Sequence, residues 1–505
     1  VKMRYFSQII YCVVLLIFPS PVNAATGVEW LQKEVQPVFK GHHTLLPLSR
    51  WGWTLPYETT VELTEKWGYA LEFGSYATIA AAKAAQDRGS RQGKVCALTK
   101  SDPVRYPLFV ITTRPLGDME KGGGLPESYW LHDADGKRLD GLPWKVKNPE
   151  APDAIHGRVA AMTLEPLLLI NKICPISIIL HGGESGLTEL GHSGPYLKKD
   201  PTVVKAKGDR SWWDYYSGKK AEWLMPTTRA IQESFPDRKA FIWYHFGGMP
   251  GWSARQWTWR YEPMRTVADM PGQSLYYKHF NTGWTGKEDL LTFFLASVAQ
   301  AKTYGDNLSY NWLCAGWKPD EFSDLNRYMG FIKSLYMAGQ VGAVAGYFAF
   351  PENTFSGDVG APPPHWLKQI MVLGRAHALF SHLDDFIRHG ELLPGPDMNR
   401  IVKKQTGKDL PAFEFPTGNS ETRVLVRKLK KKDEWLVSAW VADGGERDAT
   451  VFIDEIGEIT IRARPAGSIY RVIATFEIPH EPPVIHMELI DTDAMHPSQG
   501  FKSLQ

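Results

Sequence analysis

Short apolar, β-branched runs recur at residues 43–50, 68–74, 106–113, 176–182, 240–246, 274–280, 307–313 and 344–350, and they end in small, polar or aromatic residues. Between them lie stretches with helical spacing of apolar positions, at 57–66, 77–87, 157–172, 219–234, 287–304 and 321–338, with a last one at 364–387. In the 287–304 stretch, Leu290, Phe293, Phe294, Val298 and Ala301 fall on one face, a stripe suited to packing on a sheet. Strands that alternate with helices predict a parallel sheet with crossover helices, and eight strands is the number that closes a (β/α)8 TIM barrel. The barrel is expected over residues 25–395.

Near Glu421 the pattern changes to period-two alternation: TRVLVRKL, EWLVSAWVA, DATVFIDE and EITIRARPAGSIYRVI, with Asp443-Gly444-Gly445 and Pro465-Ala466-Gly467 at turn positions. This predicts a small antiparallel β-sandwich domain over residues 396–480, followed by a poorly ordered tail, rich in Pro and His, at 481–505. Trp435 and Trp440 alternate like core residues, and the basic run at 428–432 reads as a solvated hairpin tip. Two connections, 115–154 and 247–273, exceed plain turns and carry Trp130, Trp144, Trp252, Trp257 and Trp259, as lids or binding walls do.

Residues 1–24 have the layout of a secretory signal, with Lys2 and Arg4, an apolar core at 9–18 and Val22-Asn23-Ala24 as the cleavage site. The expected location is therefore secreted or periplasmic. No later apolar run has the length of a membrane span. Losing Cys12 with the signal leaves Cys96, Cys174 and Cys314, which allow at most one disulfide. Removing Lys2 and Arg4 makes the remaining charge formally neutral, so bulk charge favours neither nucleic acid nor an anionic membrane. Aromatic residues make up 12% of the chain, with 19 Trp, and indole faces stack well on sugar rings.

In a barrel of this kind the residues that end each strand form the active face. In chain order they are Arg50, Trp51 and Trp53; Glu72, Ser75 and Tyr76; Thr113 and Arg114; His181 and Glu184; Tyr244 and His245; His279, Asn281 and Trp284; Asn311, Trp312 and Trp317; and Glu352 and Asn353. Such a polar, aromatic rim suits a carbohydrate. No G-x-S-x-G, P-loop or H-E-x-x-H motif is present. HDADG at 132–136 lacks the ligand spacing and terminal Glu of a calcium loop and reads as a turn, and His245 with His279 has no carboxylate cluster beside it, so no metal or cofactor is implied.

The run PISIILHGGESG, a fourth strand ending in Glu184, together with the signal, barrel and C-terminal β domain, resembles the secreted TIM-barrel glycoside hydrolases. In their large retaining clan the acid/base Glu follows strand four and the nucleophile Glu follows strand seven. Glu184 matches the first position; Gly183 stands where the clan has Asn, and LSYNWLCAGW on strand seven has no carboxylate, so the resemblance is to a divergent family. It implies a glycosidase that cleaves a poly- or oligosaccharide with paired carboxyl groups. Glu184 would be the proton donor and Glu352 or Glu72 its partner, with Glu189 and Asp358 as further candidates. Trp51, Trp53, Trp284, Trp312 and Trp317 would line sugar subsites. Arg50, His181, His245, His279, Asn281 and Asn311 would hold substrate groups. Arg114, Lys278 and Arg260 suit an anionic sugar. The alternatives are a polysaccharide lyase, with His279, Tyr277 and Arg114 as its machinery, and a carbohydrate-binding protein that has lost catalysis.

Overall fold

The computed structural model describes residues 44–51, 55–113, 115–139, 147–181, 187, 190–243, 259–276, 290–315, 324–346, 364–476 and 482–491. The signal segment lies outside the described residues. All eight expected barrel strands are present: β1 (Ser49–Trp51), β2 (Leu71–Ala77), β3 (Leu108–Thr112), β4 (Ile176–His181), β5 (Ala240–Trp243), β6 (Ser274–Tyr276), β7 (Ser309–Cys314) and β8 (Gln340–Gly346). They pair in parallel as β2-β3-β4-β5 and as β6-β7-β8-β1. A parallel bridge from Leu48 to Tyr69 joins β1 to β2, and Asp269, just ahead of β6, accepts from the Phe241 amide of β5 through Oδ2 at 2.7 Å while its own amide donates to the Phe241 carbonyl at 3.0 Å. The order is that of a (β/α)8 barrel.

Period-two alternation divides each strand between two apolar layers. Phe109, Ile178, Ala240, Tyr310, Trp312 and Val344 fill the interior, while Leu71, Val110, Ile179 and Phe241 on one side and Leu313 and Ala345 on the other pack outward against helices. The stripe read at 287–304 forms the helix Leu290–Lys302, with Leu290, Phe293, Phe294 and Ala301 buried. β8 begins four residues before the expected position, because Gln340, Gly342 and Ala343 lack the β-branched signature and follow directly on a turn at Gly339, where φ is 109°. The expected 77–87 helix is short (Ile79–Ala84), and a separate helix, Arg91–Ser101, follows. That second helix has no sustained apolar stripe; its only clear signal is Ser90, whose side chain caps it by accepting from the Gly93 amide at 2.9 Å.

Cys96 on this helix is disulfide-bonded to Cys174 at the entry to β4, 78 residues on, and Cys314 stays a buried thiol. In the outer layer His156 is 5% exposed with its ring 4.5 Å from Trp223, and burial lowers its proton affinity. An unfolded chain takes up that proton near pH 6.5, whereas the folded protein resists until lower pH, so this histidine makes stability fall as pH drops below about 6.5. Urea midpoints measured across that range are expected to decline less steeply in His156→Phe; equal slopes would show that other groups dominate.

After the barrel, β9 (Gly390–Leu392), β10 (Thr422–Leu429), β11 (Glu434–Val441), β14 (Ser468–Thr475) and β15 (Val484–Asp491) form one antiparallel sheet, with β12 (Arg447–Ile453) and β13 (Gly457–Ala463) as a second. The two enclose a core of Val424, Trp435, Val437, Val451, Ile461 and Val472. Both tryptophans expected in the core are fully buried, but on opposite faces: Trp435 lies between the sheets, and Trp440 packs on the barrel helix Leu325–Met337, where a Cβ on Gly330 would lie 2.1 Å from its ring. Residues 430–432 are an exposed hairpin tip, as expected. Val484–Asp491, expected as tail, instead pairs along β14, so the domain reaches Asp491. No helix among the described residues is long and apolar enough to cross a membrane.

Candidate active site

Four of the expected site residues form two pairs on β7, β1 and β2, and Glu72, expected at the end of its strand, stands instead at the start of β2. Arg50, opposite Ala345 in the β1–β8 register, donates from Nη2 to Glu72 Oε2 at 2.6 Å, and both side chains are buried. Glu72 itself stands opposite Phe109, a residue of the barrel interior. One position beyond Arg50, Trp51 meets Trp312 of β7 edge to face at 6.2 Å. These two indoles belong to strands separated by β8. They meet because Gly346, the partner of Trp51 in register, has no side chain: a Cβ there would lie 2.0 Å from the Trp312 ring.

The same device operates one storey lower. Tyr310 of β7 lies across Gly342, where a Cβ would be 2.5 Å from its ring, and carries its hydroxyl to β1, within 3.0 Å of Ser49 Oγ and donating to the Pro47 carbonyl at 2.7 Å. Burial pushes the Tyr310 hydroxyl well above the usual phenol range, so it acts as a neutral strut. Gly346→Ala is therefore expected to displace Trp312, costing about 1–3 kcal/mol of stability as an overpacked core site and disturbing the indole pair. A denaturant melt and any substrate titration read both effects, and an unshifted midpoint would show that the indole moves aside freely.

Arg91 was not singled out from the sequence. Its guanidinium lies over Gly74, whose φ of 87° and missing Cβ make room for it, and Nη2 donates to Thr60 Oγ1 at 3.0 Å. Burial lowers its proton affinity, Glu72 and, less strongly, Glu58 oppose that shift, and Arg50 adds to it. The Ser90 cap was the signal that would have placed Arg91 at a helix start facing β2.

Three expected contacts are placed elsewhere. His181 shares the outward face of β4 with Ile179, is 1% exposed, and stacks 3.7 Å from Trp243 in the helix-facing layer. Asn311 is fully buried, with Oδ1 accepting from the Gln273 amide at 3.0 Å and Nδ2 donating to Ser309 Oγ at 3.1 Å and Gln340 Oε1 at 2.8 Å. Its amide is committed to stitching β7 and β8 to the entry of β6. Arg260 is an outer residue, stacked 3.6 Å from Trp213 and paired with Asp214 at 2.6 Å. HDADG forms the expected turn, with Asp133 Oδ1 accepting from the amides of Asp135 and Lys137. Trp53, Arg114, Glu184, Glu189, Tyr244, His245, Tyr277, Lys278, His279, Asn281, Trp284, Trp317, Glu352, Asn353 and Asp358 lie outside the described residues. Among the described residues no group of three or more His, Cys, Asp or Glu gathers as a metal-ligand set.

No protein-family model and no curated relative matches the chain. Solved structures that align with most of it include amylases and alpha-galactosidases. A noncanonic maltogenic alpha-amylase from Thermotoga neapolitana aligns at 10% identity and TM-score 0.42, over 93% of this chain and 96% of that one. An alpha-amylase from Geobacillus thermoleovorans aligns at 8% and 0.42, over 88% and 90%. An alpha-galactosidase from Geobacillus stearothermophilus aligns at 11% and 0.40, over 91% of this chain and 58% of that one. At such scores no residue role passes from them to this chain, and the barrel rests on its own strand pairing.

Proposed function

We propose that the protein is an exported glycoside hydrolase that cleaves a poly- or oligosaccharide with Glu184 as proton donor and Glu352 or Glu72 as the partner carboxylate. The observation that carries the reading is the indole pair Trp51–Trp312, with Trp51 ending β1 beside the last residue of β8, next to a strand, β2, that bears the buried, arginine-held carboxylate Glu72. Carboxyl groups supply the acid, base or nucleophile of glycoside cleavage, and an indole beside them gives a sugar ring an apolar face to lie on. Export is supported by the Cys96–Cys174 bond, since disulfides persist in oxidising compartments.

The test is to screen the purified protein against neutral and acidic polysaccharides while following reducing ends and ultraviolet absorbance together. New reducing ends without absorbance support hydrolysis. Absorbance from an unsaturated product would mean a lyase and overturn the reading. Glycan binding with no turnover on the bound glycan would overturn it in favour of a binding protein.

A further inference from the structure

The helix Trp212–Ser234 carries a lysine inside the protein that the reaction above does not use. Lys220 is 7% exposed, its Nζ donates to the Leu187 carbonyl at 2.9 Å, and it lies over the Trp259 ring, 5.3 Å from the centroid. Burial lowers its proton affinity to about 7, with Lys147 pushing the same way. A buried amine at this position costs stability that an apolar side chain of the same length would not, so its contribution must come from what it holds.

What it holds is specific. Leu187 comes three residues after Glu184 in the connection leaving β4, and Trp259 ends the long connection leaving β5. The same helix grips both connections again with neighbouring side chains. Tyr216, one turn earlier, stacks on Trp259 at 5.5 Å and donates its hydroxyl to Ser193 Oγ at 2.9 Å, while Ser217 Oγ accepts from the Arg260 amide at 2.9 Å. One helical face thus binds the returning ends of two consecutive connections on the catalytic side of the barrel. Tyr216 and Lys220 each touch both at once, and Lys220 is the one that reaches the main chain nearest Glu184 in sequence.

We propose that Lys220 is a positioning residue for the active site: by holding the Leu187 carbonyl while lying on Trp259, it locks the connection that carries Glu184 to the one that follows β5. The catalytic part of this inference rests on the hydrolase reading; the locking part does not.

The test is Lys220→Met, read by hydrogen exchange, thermal unfolding and kinetics in the full chain. Exchange is expected to accelerate both at Leu187 and 190–193 and at 259–262, with Tm at neutral pH unchanged or raised, because a costly buried amine has become an apolar side chain. With a hydrolysed glycan in hand, kcat is expected to fall about tenfold or more with a smaller change in KM, since misplacing a catalytic group costs rate more than binding. A merely structural lysine would instead lower Tm without singling out these segments. Acceleration in only one segment or in neither overturns the lock, and acceleration in both with unchanged kcat overturns the positioning role. If no glycan is hydrolysed by the wild-type protein, the hydrolase reading fails while the lock is still decided by exchange. Should Lys220→Met not fold, Lys220→Gln serves for the same readings.

Discussion

Glu184→Gln is expected to lower kcat on an unactivated glycan by roughly 10²–10⁴-fold, the usual contribution of a positioned proton donor, with KM within a few-fold of wild type. The amide keeps the size and hydrogen-bonding reach of the carboxyl but has no proton to give to the leaving oxygen. The loss should therefore depend on how much that oxygen needs a proton. A substrate with an acidic phenol as leaving group departs as a stable anion, so bond cleavage on it should be nearly intact in the variant. The measurement is a comparison of kcat for a natural oligosaccharide and for such an activated aryl glycoside, in both proteins. Equal losses on the two substrates would remove Glu184 from the role of acid, and full activity on the natural one would remove it from the reaction.

A second large effect is expected far from the barrel mouth. Arg427 of β10 is fully buried, and its guanidinium donates to four main-chain carbonyls: Nε to Phe386 at 2.8 Å, Nη1 to Met337 at 2.9 Å, and Nη2 to Ile387 at 2.8 Å and Gly390 at 3.0 Å. Met337 ends the barrel helix Leu325–Met337, while Phe386 and Ile387 belong to the last turn of Asp384–His389, where Phe386 also accepts from the capping Gly390 amide. A cation there also meets the negative ends of two helix dipoles. Burial lowers its pKa to about 10, which still leaves it charged at neutral pH. Arg427→Ala takes the donor from four buried carbonyls, of which Phe386 keeps the Gly390 amide, and opens a cavity, an expected loss of about 3–5 kcal/mol. Arg427→Lys should recover less than half of it, because one ammonium cannot follow a planar fork to four acceptors. Urea unfolding of the three proteins reads this directly, and matching midpoints for arginine and alanine would sink it.

The barrel was legible because each strand is a compact apolar run that a parallel sheet buries on both faces. Register was less so. Whether His181 faces the interior or the helices depends on an irregularity in the β3–β4 pairing near Phe109, which shifts the pleat by one position and leaves no mark in composition. Asn311 misled for a related reason. A polar residue in an apolar strand reads equally as a rim group or as an interstrand stitch, and only its partners, Gln273 and Gln340, decide between them. Arg50, Glu72, Trp51 and Trp312 are singled out by the rule that the carboxyl ends of barrel strands form the active face, yet only Arg50 and Trp51 fall at such an end; β2 starts at Leu71, which puts Glu72 at its beginning, and Trp312 lies within β7. Gly346 and Gly342 were silent, since a glycine that makes room for an aromatic ring across the neighbouring strand looks like any other glycine in a line of letters.

The pairing of β1 with β8, Ser49 beside Val344 and Trp51 beside Gly346, unites the two ends of the barrel segment. During synthesis the first strand therefore emerges without its final neighbour, and the growing sheet keeps two raw edges until Val344 has left the ribosome. Edges of that kind recruit stray strands. For a newborn copy of this protein, the hazardous interval lasts from the appearance of β2 until β8 arrives to close the ring.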